Sequence, residues 1–105
     1  MASLTEADND RTLDVAVGET VRIRLPENAT SGYRWAIDRV DADVIEAAGP
    51  DPHYAAKAVG SGGEVAFSFT PTKTGAAEIV LKYWRHFEGD RSVQKRFRVR
   101  LNARP

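Results

Sequence analysis

Cysteine is absent from this chain of 105 residues. Its absence excludes disulfide cross-links, thiolate nucleophiles and cysteine-ligated zinc, so the fold must hold by packing alone. Histidine is nearly absent: His53 and His86 are the only two, far apart in the chain and not at metal-ligand spacing. Neither a metal nor any other cofactor is expected. No apolar run is long enough to cross a bilayer, so no membrane partner is expected. The opening Met-Ala-Ser-Leu-Thr-Glu-Ala-Asp-Asn-Asp has neither the basic nor the apolar region of a signal peptide. The chain as given reads as cytoplasmic, or as periplasmic or secreted if it is a mature form.

Net charge is lacking too, with fifteen basic residues against fifteen acidic ones, but the balance hides an asymmetry. Glu6, Asp8, Asp10, Asp14 and Glu19 crowd the beginning, while Arg91, Lys95, Arg96, Arg98, Arg100 and Arg104 crowd the end. A basic terminal strand can steer a polyanion. These bases, however, mostly alternate with Phe97, Val99 and Leu101, which is the pattern of the wet face of a strand, so no nucleic-acid partner is expected.

What is present is a hydrophobic content of 42% and a charged content of 29%, as in ordinary soluble domains. The polar residues 1–11 read as a flexible N-terminal segment and 12–105 as a single domain. Within it, apolar residues recur with period two: Leu13, Val15, Val17; Val21, Ile23, Leu25; Tyr33, Trp35, Ile37; Val65, Phe67, Phe69; Ile79, Leu81, Tyr83; and Val93, Phe97, Val99, Leu101. That period is the signature of half-buried strands. Val44–Ala48 adds a short strand that Gly49-Pro50-Asp51-Pro52 should break, and Tyr54–Val59 is weakly strand-like. About seven one-faced strands and no long helix imply an all-β fold. An immunoglobulin-like β-sandwich is preferred over a small closed barrel, with Trp35 in its core and its binding loops at one end.

Catalytic groups do not gather. Ser31 and Ser61 have glycine neighbours but no strand-turn-helix context for a nucleophile elbow. Gly60-Ser61-Gly62-Gly63 lacks the lysine and helix of a phosphate-binding loop. An enzyme is therefore not expected. Three connections stand out instead. Asn28-Ala29-Thr30-Ser31-Gly32-Tyr33 has residues that suit tight turns and leave backbone groups accessible. Gly60-Ser61-Gly62-Gly63 allows close backbone approach, although glycines serve any hairpin. Trp84-Arg85-His86-Phe87-Glu88 places rings beside arginine, the composition of an interaction hot spot. Loops on a rigid scaffold commonly build recognition surfaces.

Asn28-Ala29-Thr30-Ser31-Gly32-Tyr33-Arg34-Trp35 resembles the Asn-Pro-Thr-Thr-Gly-Tyr-x-Trp motif of the chagasin family, proteinaceous inhibitors of papain-like cysteine peptidases. Gly60-Ser61-Gly62-Gly63 is similar to that family's Gly-x-Gly-Gly loop, and Tyr83-Trp84-Arg85-His86-Phe87 stands where the family has Tyr-x-Arg-Pro-Trp. Order and spacing hold from about Leu13 to Leu101. The resemblance implies a monomeric, reversible, competitive inhibitor of papain-like cysteine peptidases that is not consumed. It implies that Asn28, Ala29, Thr30, Ser31, Gly32 and Tyr33 lie beside the catalytic cysteine of the peptidase. Gly60, Ser61, Gly62 and Gly63 would meet one wall of the cleft, and Arg85, His86 and Phe87 the other. Ala29 in place of proline and His86-Phe87 in place of Pro-Trp depart from the motifs and should alter affinity or preference. A non-catalytic carbohydrate- or ligand-binding sandwich using Trp84 and Phe87 is the alternative from another class. A structural or adhesion domain is the third.

Overall fold

Alternation of apolar and polar residues puts one row of each strand inward, and two such faces must meet to leave water. In the computed structural model, which describes residues 2–27, 32–54 and 63–105 (50–54 by backbone alone), they meet as two four-stranded sheets. The strands are β1 Ala2–Leu4, β2 Arg11–Ala16, β3 Val21–Glu27, β4 Arg34–Val40, β5 Ile45–Tyr54, β6 Gly63–Pro71, β7 Gly75–Trp84 and β8 Lys95–Arg104. One sheet has the order β1-β3-β6-β5 and the other β2-β8-β7-β4. β1 runs parallel to β3 and β2 parallel to β8; the remaining neighbours are antiparallel.

The core is the sum of the inward rows. Val21, Ile23 and Leu25 of β3 face Val65, Phe67 and Phe69 of β6 in register, and these pack against Ile79 and Leu81 of β7 and Phe97, Val99 and Leu101 of β8. The expected all-β sandwich is thus the observed one, with Trp35 in the core at 3% exposure.

The first strand lies where a flexible terminus was expected. Ala2–Leu4 pairs with Val21–Ile23, and Leu4 is buried at 2% exposure. A single leucine among polar residues gives no period to read, yet burying it tethers the segment. A 3-10 turn at Glu6–Asp8 follows, closed by Asp8 accepting from the Thr5 N–H at 2.9 Å.

The expected break at Gly49-Pro50-Asp51-Pro52 is also corrected. β5 continues through it, with a shift of register between Ala48 and Asp51. The strand lies at the edge of its sheet, where proline's missing N–H is tolerated, and the bulge takes up the extra residues. Gly49 makes it possible: its φ is +120°, and a Cβ there would stand 2.9 Å from the Ala66 carbonyl oxygen.

Acidic beginning and basic end are brought side by side by the parallel pairing of β2 with β8. Lys95 meets Glu6 at 3.4 Å, Arg98 meets Asp10 at 3.1 Å and Arg104 meets Asp14 at 3.4 Å. Arg96 pairs with Asp38 and Arg100 with Glu78. The basic stripe is therefore neutralised along its length by carboxylates of its own chain.

Candidate functional site

Strand direction decides where the three singled-out loops emerge. β3 ends at Glu27, opposite Gly63 where β6 begins, and Tyr54 at the end of β5 also pairs with Gly63. In the other sheet β4 begins at Arg34 opposite Trp84, the last residue of β7, and β8 begins at Lys95 opposite Tyr83. The strand ends that flank connections 28–33, 55–62 and 85–94 consequently lie at one end of the sandwich. Asn28, Ala29, Thr30, Ser31, Gly60, Ser61 and Gly62 lie outside the described residues. Gly32, Tyr33, Gly63, Arg85, His86 and Phe87 lie within them.

The first connection is fastened at its base. The Glu27 carboxylate, at an inward position of β3, accepts the backbone N–H of Trp35 at 2.8 Å. The Trp35 indole N–H donates to the Pro26 carbonyl at 2.9 Å. Two bonds thus join the last residues of β3 to the start of β4 across the sheets. Tyr33 continues a row of tilted rings, its centroid 5.5 Å from Tyr83, which in turn lies 5.1 Å from Trp35.

The third connection is a built loop. Two 3-10 turns, His86–Glu88 and Asp90–Ser92, are joined at Gly89, whose φ of +78° suits glycine. Ser92 is their hub: its Oγ accepts the Arg85 N–H at 2.9 Å and lies 2.9 Å from the Arg85 carbonyl and 2.7 Å from that of Gly89. The hydroxyl has one proton, which serves one of those carbonyls at a time. Arg85 donates to Glu88 at 3.0 Å, and that bond holds the guanidinium pKa above its ordinary value.

First and third loops touch. The Arg85 guanidinium carbon stands 4.4 Å from the Tyr33 ring centroid. Gly32, with φ of +80°, lies beneath the same loop: a Cβ there would be 3.5 Å from Arg85 Nε and 3.6 Å from Phe87 Cζ. The Phe87 ring itself is 68% exposed, the most open large apolar side chain among the described residues. The His86 ring meets it edge-on at 5.5 Å. Phe87 is thus an apolar ring open to solvent on a loop closed by its own hydrogen bonds. Trp84, by contrast, turns to the outer face of the sheet, where Lys82 Nζ sits 3.6 Å from its ring.

Residues 14–101 match the model of the family described as chagasin family peptidase inhibitor I42. The chain belongs to the chagasin family. It is 34% identical to Chagasin of Trypanosoma cruzi, covering 95% of this chain and 96% of that one. Amoebiasin-1 of Entamoeba histolytica is 39% identical over 85 residues, 79% of this chain and 81% of its own. In fold it is similar to PbICP-C, whose structure was solved in complex with falcipain-2: the TM-score is 0.74 at 17% identity, covering 99% of this chain and 100% of that one. As a member of the chagasin family it is a peptidase inhibitor, not an enzyme.

Two parts of this chagasin-family site escape a reading of loops alone. Glu27 was legible as an acid at the fourth inward position after Val21, Ile23 and Leu25. Ser92 carried no signal, because its partners are backbone groups that only the loop's closure brings together.

Proposed function

We propose that this chagasin-family chain inhibits papain-like cysteine peptidases reversibly and competitively, by laying three loops into the active-site cleft. Asn28–Tyr33 forms the central element beside the catalytic cysteine. Gly60–Gly63 meets one wall through its backbone, and Arg85, His86 and Phe87 pack on the other. Thr30 and Ser31 occupy space at the nucleophile without presenting a peptide bond in cleavable geometry, so the inhibitor leaves intact.

The observation that carries this reading is the joining of Gly32 and Tyr33 to Arg85 and Phe87 in one rim at the loop end of the sandwich. A rim whose side chains are already held loses little conformational freedom on docking, so more of the contact energy survives as affinity. The falcipain-2 complex of the similarly folded PbICP-C supports a cysteine peptidase as the partner class. Among the described residues the carbohydrate-binding alternative is not favoured: Lys82 Nζ covers one face of Trp84, and the exposed Phe87 ring has only His86 set edge-on beside it.

Steady-state titration of papain with the protein, followed by mass analysis of the recovered chain, tests the proposal. Saturable competitive inhibition with an uncut chain is expected. Absence of inhibition across papain and a panel of related cysteine peptidases, or a chain cut within 28–33, overturns it.

A further inference from the structure

We propose that Glu27 is a positioning residue for the central loop, holding the strand ends that flank it, Glu27 of β3 and Arg34–Trp35 of β4, before any peptidase is met. The proposal rests on the inhibitory reading above and adds to it a residue that belongs to none of the three loops.

The first argument is placement. Val21, Ile23, Leu25 and Glu27 form the inward row of β3, and Glu27 is the one charged side chain buried among the described residues, at 4% exposure. A fourth apolar residue would continue the row. A carboxylate there loses its water, and a buried charge is weak as a source of stability even when paired. The position gains something other than stability from its acid.

The second argument is what the carboxylate holds. β4 is an edge strand of its sheet, so one side of it has no neighbouring strand to bond. The Trp35 N–H is satisfied by Glu27 Oε2 at 2.8 Å instead. The other oxygen, Oε1, lies 3.8 Å from the Arg34 guanidinium, which is half exposed and draws the same carboxylate toward the first residue of β4. Together with the Trp35 indole bond to Pro26, these contacts fix both ends of the connection at a set separation. A loop whose ends are fixed samples fewer conformations.

The test compares Glu27→Leu and Glu27→Gln with the wild-type chain, using papain as the probe and amide hydrogen exchange as a readout independent of inhibition. The Gln variant keeps an oxygen for the Trp35 N–H and should stay within about threefold of wild type in both readouts. The Leu variant should remain folded, with exchange in β7 and β8 unchanged. Its Trp35 and Tyr33 amides should exchange on the order of tenfold faster, and papain inhibition should weaken by a similar factor, because a smaller fraction of loops is competent to dock. Should leucine leave the fold unstable, Glu27→Ala, which admits water to the Trp35 N–H, takes its place with the same expectation. A folded Leu or Ala variant with wild-type exchange at Tyr33 and Trp35 overturns the proposal. So does a loss that is uniform across β7, β8 and the loop, which marks a merely structural role. If the wild-type chain fails to inhibit papain and related peptidases, the inhibitory reading falls and the exchange comparison alone decides the role of Glu27.

Discussion

Arg85 lies over the ring of Tyr33, its guanidinium carbon 4.4 Å from the ring centroid, although the two residues belong to different loops. The contact makes one surface of the first and third connections. A guanidinium stacked on an aromatic face contributes about 0.5–1 kcal/mol at a partly exposed site. A double-mutant cycle of Arg85→Ala and Tyr33→Leu, read in urea midpoints, should return a favourable coupling of about that size. Arg85→Lys should recover little of it, since an ammonium lacks the planar stack. Additive single effects would mean the loops are independent.

Trp35 belongs to the core and not to the contact surface. Its ring is buried and its indole N–H is bonded to Pro26. Trp35→Ala should lose about 3–5 kcal/mol of stability through the cavity it leaves. Chemical denaturation monitored by circular dichroism measures this, and a loss below about 1 kcal/mol would place the ring outside the core.

Gly49 should tolerate no side chain. Both its φ of +120° and the Ala66 carbonyl, 2.9 Å from where a Cβ would stand, oppose one. Gly75, with φ of +139° and nothing within 4 Å, carries only the conformational term. Gly49→Ala should therefore destabilise by about 1–3 kcal/mol and by more than Gly75→Ala. Equal losses would show that strain alone operates and that the close approach is relieved without effect.

Asp8 should contribute to the acid limb of stability. The Thr5 backbone N–H, then Arg11, hold its carboxyl below the ordinary Asp value. A group whose folded pKa is lowered stabilises the fold above its unfolded value, about 3.9, and that contribution is lost as pH falls through the lower folded value. The contribution is small, because the pair faces solvent. Asp8→Asn should lower the neutral plateau of the thermal midpoint slightly and flatten its decline below about pH 4 by the same amount, the two curves converging in acid. An acid limb identical to wild type would remove Asp8 from the account.

The basic terminal strand should not act as a polyanion site. Arg96, Arg98 and Arg100 each face a carboxylate within 3.4 Å. Little field remains to attract phosphate, so an anisotropy titration with labelled single-stranded DNA at low salt should show no saturable binding. Saturable, salt-sensitive binding would show that these pairs open readily.

The sequence by itself determined most of the strands and most of the core. Period-two rows such as Val65, Phe67 and Phe69 can bury only as strands, because the alternation of side chains is local geometry. It also determined the family, since the order of the three loop motifs survives in the chain as written. Only the tertiary structure decided that Leu4 anchors a strand, that β5 passes through two prolines on a bulge at Gly49, and that Asp10 and Asp14 stand beside Arg98 and Arg104. It alone set Glu27 against Trp35 and Arg85 over Tyr33. Those relationships join residues on different strands and loops, and pairing, register and loop closure are settled by the packing of the whole sandwich, which no local pattern encodes.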